Sequence, residues 1–267
     1  MSAPAGSTDQ AGRLRSAPLE VVGRFADASN ATLLARLTDR DTRSLEDLAA
    51  GLGRSPGLDD LDVGDLVVYK PERGERPLWD FPAGTLHRRE VAAYEVSCAL
   101  GWEQVPTTVL RTDGPFGRGS VQAFVAHDPE QHYFTLLEGG DTEVVAQLAR
   151  MIVFDDLLQN ADRKAGHVLL EAVTPPRVWL VDHGVCFHTE VKLRTVAWER
   201  AGAPVPPALL ADVDGLREAL AGDLAARLAL LLAEEEVAAL TQRCVQVLER
   251  GSFPHPEVPH PYPWPLL

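Results

Sequence analysis

The hydrophobic residues of this chain change period part-way along it, and that change constrains the fold more than any other feature. Up to Val125 apolar side chains come in short runs or alternate with polar ones, as at Leu19, Val21 and Phe25 and in Leu66-Val67-Val68-Tyr69. Beyond it the spacing turns to three and four, through 142–158 and again from Pro206 onward. Strands gathered in one half and helices in the other describe an α+β chain, because a parallel βαβ fold would interleave them.

Within the first half the pattern predicts strands at 19–25 and 32–37 around a polar tip at 26–30. A charged insert at 39–64 follows, helical over 44–52, and then a strand at 65–70 ended by Pro71, which puts Lys70 at the strand's close. A helix at 86–100 stops at Gly101, and strands at 105–110 and 120–125 meet at the turn Asp113-Gly114-Pro115. The second half predicts a helix at 142–158, a polar segment from Asn160 to His167, short strands at 168–170 and 178–181, and helices at 224–232 and 235–248. Residues 253–267, crowded with proline and tryptophan, read as a strap packed on the surface, and the five tryptophans as core and strap anchors. The first 16 residues are Ala-, Gly- and Ser-rich with no apolar run, so they read as a flexible tail and not as a signal peptide.

Composition removes several functions. Among 267 residues, 25 Lys and Arg stand against 39 Asp and Glu, a net charge of −14 that repels nucleic acid and anionic lipid alike. Stable membrane association is not expected, since neither a basic amphipathic helix nor a spanning apolar run is present. Three widely spaced cysteines, Cys98, Cys186 and Cys244, fit neither a disulfide framework nor a paired metal module, and point to a reducing cytoplasm.

What remains is the chemistry of the polar loops. Asp162 lies in the loop that follows the 142–158 helix, and Asp182 ends the second short strand twenty residues later. Two carboxylates at such loop mouths can converge on one cation. Phosphoryl transfer uses that pair, one carboxylate to orient or deprotonate the attacking group and one to hold the metal on the nucleotide. It also needs a cation on the phosphates, a role open to Lys70 with Glu90 as its orienting partner. Asp155 and Asp156 read as helix-end charges, whereas Arg163 and Lys164 either meet a phosphorylated acceptor or neutralise nearby carboxylates. A zinc or manganese hydrolase built on His167, His183, His188 and Asp182 is disfavoured, because no paired histidine motif accompanies them and Lys70 is left without a role.

The order of these motifs resembles a known family. Tyr69-Lys70-Pro71, Glu90-Val91-Ala92-Ala93-Tyr94, Val105-Pro106-Thr107-Thr108 and the run from Gly119 to Val125 are similar to the small lobe of type II phosphatidylinositol 4-kinases. Asn160-Ala161-Asp162-Arg163 and Val181-Asp182-His183-Gly184 are similar to the catalytic loop and metal-binding motif of the wider phosphatidylinositol 3- and 4-kinase group. From about Leu19 onward the chain resembles an actinobacterial family of such kinase-like proteins with unassigned substrate. The resemblance implies a bilobal protein-kinase-like fold, with a tail at 1–16, a β-rich N-lobe at 17–127, a mainly helical C-lobe at 128–267 and ATP in the cleft.

It further implies Asp162 as catalytic aspartate, Asp182 as principal metal ligand, Lys70 on the phosphates and Glu90 as its ion-pair partner. Gln122, Ala123, Phe124 and Val125 become the hinge that reads adenine, and Ser29 and Asn30 the tip that covers the phosphates. Three positions depart from the pattern. His167 stands where asparagine is usual, which places the second metal position in question; His183 stands for phenylalanine; and the tip is not glycine-rich. The expected cofactors are ATP and Mg²⁺, with Mn²⁺ as the alternative, and the expected reaction is γ-phosphate transfer to a hydroxyl of a soluble metabolite or a protein. A nucleotide-binding pseudokinase and a nucleotidyl transferase on the same fold are the competing readings.

Overall fold

The computed structural model describes residues 5–25, 30–39 and 63–267. Ser29, most of the expected hairpin tip and the charged insert lie outside the described residues. The chain divides into two compact units, one of residues 1–76 with 107–126 and the other of residues 77–106 with 127–267.

The first unit is a five-stranded antiparallel sheet in the order β1-β2-β3-β5-β4, formed by β1 (Leu19–Arg24), β2 (Leu33–Leu37), β3 (Leu66–Pro71), β4 (Thr108–Gly114) and β5 (Gly117–Ala123). Alternation decides which face is covered. Leu33, Ala35 and Leu37 of β2 line up with Val67 and Tyr69 of β3, Val109 of β4 and Val121 of β5, all buried in one cluster. Against that cluster packs α1 (Ala5–Ser16) through Ala11 and Leu14, with Ala17 just beyond its end. The segment expected to be a flexible tail is therefore a docked helix. Its last carbonyls, at Leu14 and Ala17, accept from the buried guanidinium of Arg111, and its Arg13 bonds Asp39 and Asp65. Two small residues and one leucine fill so little of the segment that its apolar stripe escapes a compositional reading.

The second unit is helical. It contains α2 (Leu86–Ala99), α3 (Tyr133–Gly139), α4 (Thr142–Leu158), α5 (Pro207–Ala219), α6 (Asp223–Leu228) and α7 (Glu234–Arg250), with a two-stranded sheet of β6 (Val168–Glu171) and β7 (Arg177–Leu180). One large core joins Ala92, Ala93 and Val96 of α2 to Met151, Phe154 and Leu158 of α4, Val213 of α5 and Cys244 of α7. The helix at 86–99, expected with the strands of the first lobe, thus belongs by its packing to the helical unit. Asp141 caps α4 by accepting from the N–H groups of Glu143 and Val144 at 2.9 and 3.1 Å. Among the described residues no helix is long and apolar enough to cross a membrane.

The expected strap is present. Phe253 is buried, and the chain beyond it is held through backbone oxygens: Pro261 accepts from the Thr195 N–H and the Trp198 indole, and Leu266 from the Ala165 N–H at 2.8 Å. Trp264 and Trp79 are about nine-tenths exposed and anchor nothing in this way, whereas Trp102 is buried.

Candidate active site

The polar loop after α4 is built on a buried charge pair. The helix ends at Gln159 in the left-handed region, φ 51°, and Gln159 uses its side-chain oxygen to accept from the N–H groups of Lys192 and Leu193. Arg163, wholly buried, donates from Nε and Nη2 to both oxygens of Asp155 at 2.8 and 2.9 Å. Its Nη1 reaches the carbonyls of Val181 and His167 at 2.8 and 3.3 Å. Desolvation pulls the guanidinium's pKa down, but the Asp155 carboxylate outweighs it and the net direction is up. Asn160 joins the frame by donating to Asp155 at 3.0 Å and accepting the Asp162 N–H at 3.0 Å. One guanidinium therefore ties the end of α4, the loop carrying Asp162 and the strand that leads into Asp182.

Asp162 emerges from this frame partly exposed, ion-paired with Lys164. Burial lifts its pKa above the ordinary carboxylate range; Lys164 opposes the shift and the negative charge of Asp182 adds to it. Asp182 stops the strand run in the left-handed region at φ 60°, which aspartate tolerates better than most residues, with its side chain half exposed. His167 Nε2 lies 3.4 Å from Asp182 Oδ2, and its Nδ1 faces the Lys164 N–H at 3.5 Å. The imidazole thus bridges the Lys164 backbone and the Asp182 carboxylate.

Glu90 and Arg89 fix the other side of the Asp182 turn. Glu90, buried on α2, accepts the His183 N–H at 3.0 Å. Arg89 donates to the Cys186 carbonyl at 2.6 Å and to Glu236 of α7 at 2.5 Å. His183 is buried edge-on against Phe154, with ring centroids 5.6 Å apart, and its Nε2 sits 2.8 Å from Arg163 Nη2. A guanidinium can only donate, so Nε2 accepts and the ring is neutral with its proton on Nδ1. The histidine gives Arg163 an acceptor that a phenylalanine could not supply.

In the first unit, Lys70 lies opposite Ser120 in the β3–β5 register and on the sheet face opposite α1. Gly119 permits that pairing, since a Cβ there would meet the Lys70 carbonyl oxygen at 2.4 Å. Asn30 accepts the Arg76 N–H at 2.8 Å through its side chain, a loop-holding bond. Gln122 spends its amide on Thr108 Oγ1 at 2.8 Å. The N–H groups of Ala123 and Phe124 go to the carbonyls of Thr107 and Leu66, and Val125 follows, buried.

The structure thus brings Asp162, Asp182 and His167 together, with Glu90 behind them, and places Lys70, Gln122 and Ala123 on the first unit's sheet, with Asn30, Phe124 and Val125 outside its strands. Of the two roles left open for Arg163 and Lys164, the structure shows neutralisation, of Asp155 and Asp162; sequence reasoning missed Asn160 as a brace, Arg89 and the role of Glu90 at the His183 backbone. Asp155 is a buried anchor, not a solvated helix end, and Arg163 neutralises it. Among the described residues no group of three or more His, Cys, Asp or Glu side chains forms a metal cage. Two carboxylates whose charges oppose each other are instead a hard-oxygen pair suited to a magnesium or manganese ion that keeps water and phosphate as its other ligands.

Residues 87–213 match the family described as Phosphatidylinositol 3- and 4-kinase. Protein Rv2133c of Mycobacterium tuberculosis is 40% identical over 97% of this chain and 96% of its own length. Among solved structures, the Golgi casein kinase superposes with a TM-score of 0.56 at 15% identity over 93% of this chain and 76% of its own. Its Mn/ADP-bound form gives 0.56 at 14% identity, over 96% and 81%. Hydra Fam20 with sugar gives 0.54 at 13% identity, over 94% and 89%. These likenesses identify the fold as bilobal and kinase-like.

Proposed function

This chain belongs to an actinobacterial family of phosphatidylinositol 3- and 4-kinase-like proteins, and from that premise we propose that it is a phosphotransferase moving the γ-phosphate of ATP to a hydroxyl of a soluble metabolite or a protein. The observation that supports the reading best is that Asp162 and Asp182 are carried by different elements anchored on one buried guanidinium, Arg163. Asp182 would hold the divalent ion, with Asp162 beside it, and the ion would supply charge neutralisation on the phosphates. His167 Nε2 lies 3.4 Å from Asp182, and imidazole is a poorer magnesium ligand than a carbonyl oxygen.

Asp162 would take the acceptor's proton; a carboxylate whose pKa is lifted is a stronger base than an ordinary one. Lys164, bonded to it, keeps the ionised form available and holds its direction. Glu90 acts through the Asp182 turn by fixing the His183 peptide. Lys70 would meet the phosphates, and adenine recognition would fall to the carbonyls of residues 122–125, because Ala123 and Phe124 commit their N–H groups to the sheet. The net charge of −14 disfavours an anionic lipid surface as the acceptor's location. Three free thiols suit a cytoplasmic setting, and the Mn/ADP complex of one structural neighbour makes manganese worth testing beside magnesium.

The engagement of His167 with Asp182 favours a second reading, a nucleotide-binding protein without transfer. A thermal-shift panel of nucleotides with and without each metal, followed by γ-labelled ATP, separates the two. The proposal expects metal-dependent stabilisation by ATP, its loss in Asp182→Ala, and label leaving ATP. Stabilisation without label transfer or hydrolysis under either metal selects the second reading, and no nucleotide response at all removes both.

A further inference from the structure

The second unit carries a pocket of about 190 Å³, lined by none of the residues given a role in the proposed reaction. Its walls include Asp156, Thr189, Gln242, Arg243, Gln246 and Arg250. Arg243 stands out chemically. It is 7% exposed, near the middle of α7, and its Nη2 donates to the His188 carbonyl, with the Glu190 carbonyl 3.5 Å away. Its Nη1 is buried with no hydrogen-bond partner, and among the described residues no carboxylate lies within ion-pair distance of it. The pocket's other cation, Arg250, is taken up by Asp156. Burial pulls the Arg243 pKa down to about 10, and the charges of Asp156 and Glu236 oppose that fall without cancelling it. The remaining carboxylate of the wall, Glu257, is exposed to solvent.

A buried, carboxylate-free guanidinium beside a cavity is an unmet demand for an oxyanion, and planar guanidinium matches phosphate oxygens in pairs. The volume limits what can enter. Drug-sized ligands occupy roughly 300–1,000 Å³, so a nucleotide does not fit while a phosphate group does. We propose that this pocket is an anion site for a phosphate monoester, recognised by Arg243 with the amides of Gln242 and Gln246 at its rim. The phosphate has two sources within reach of this chemistry, a small phosphorylated molecule in solution or a phosphate carried by Thr189, which already lines the wall. The site is distinct from the aspartate pair and stands whatever the chain's activity.

The test is calorimetric titration and thermal shift of the full chain with inorganic phosphate, ionic strength held constant with chloride. Saturable binding with a rise in melting temperature is expected, and it should vanish in Arg243→Gln. Should that variant fail to fold, Gln246→Glu decides, because the position is exposed and an added carboxylate there should weaken phosphate binding about tenfold or more, roughly 1.4 kcal/mol, with the phosphate-free melting temperature unchanged. Equal responses to phosphate and chloride, or equal affinity in wild type and Gln246→Glu, overturn the proposal. A chain bearing phosphothreonine at position 189 separates the sources. Loss of binding to added phosphate shows that the chain's own phosphate fills the pocket, retention shows a solution ligand, and both outcomes support the anion site.

Discussion

Replacing Arg163 by methionine should damage this protein more than any exposed substitution. The guanidinium makes two bonds to Asp155, two to the carbonyls of Val181 and His167, and faces His183 Nε2 at 2.8 Å, all without solvent. Methionine fills part of the space and supplies none of the donors. Asp155 then keeps the Asn160 amide but loses its counter-charge in a buried place, and breaking such a pair from one side costs about 3–5 kcal/mol. Against a total stability of roughly 5–15 kcal/mol, that is a large fraction. At about 2–4 °C per kcal/mol for a chain of this size class, the melting temperature should fall by roughly 6–20 °C.

Urea unfolding and calorimetry measure the loss directly. Arg163→Lys should fall between wild type and methionine, since it keeps the charge but not the fork. The double variant Asp155→Leu with Arg163→Met should regain most of the stability, because two apolar groups leave no buried charge behind. It should not regain turnover, because the frame that aims Asp162 is gone. An Arg163→Met chain within about 1 kcal/mol of wild type, or a lysine variant equal to wild type, would refute the idea that this pair holds the loop.

Asp162→Asn should keep metal-dependent nucleotide binding and lose roughly 10²–10⁴-fold in turnover with γ-labelled ATP, the usual scale for a missing base. Because the fold raises the Asp162 pKa, its contribution to stability is present below the unfolded-state value and lost as pH rises through the folded one; the asparagine variant should gain on wild type across that window in unfolding measurements. His167→Asn should preserve or raise magnesium-supported turnover, since an amide oxygen suits the harder ion, and complete loss in a magnesium and manganese titration would assign the imidazole its own role. Gly119→Ala should cost about 1–3 kcal/mol by forcing a Cβ against the Lys70 carbonyl and should weaken nucleotide binding alongside, read by calorimetry.

Periodicity made α4 legible to the residue, because a 17-residue apolar stripe has no other reading. The strand pair flanking Thr174-Pro175-Pro176 was legible for a related reason, since the turn residues bracket it. The helix at 86–99 was legible as a helix but not as a member of the helical unit, because partnership depends on which surface its Ala92, Ala93 and Val96 meet, and no local pattern encodes that. Arg163 was legible as a possible neutraliser of nearby carboxylates, but not as the buried partner of Asp155. Eight residues apart in a polar run, they look like any solvated charges until the chain closes over them. Glu90 shows a further limit: its type and position marked it as a partner for a lysine, but nothing local marked it as the acceptor of a peptide N–H more than ninety residues away.

The strap that crosses from Phe253 to Leu266 gives the Asp162 loop a history as well as a shape. Ala165, three residues past Asp162, donates its N–H to the carbonyl of Leu266. The residues that make up the loop leave the ribosome about a hundred residues ahead of the segment that secures them, which at ~5–20 residues per second is a delay of about 5–20 s. During that interval the core of the second unit can assemble around α4 while the loop still lacks its last restraint. A chain cut before Phe253 should therefore carry both aspartates yet hold the Asp162 loop less firmly than one that includes the strap.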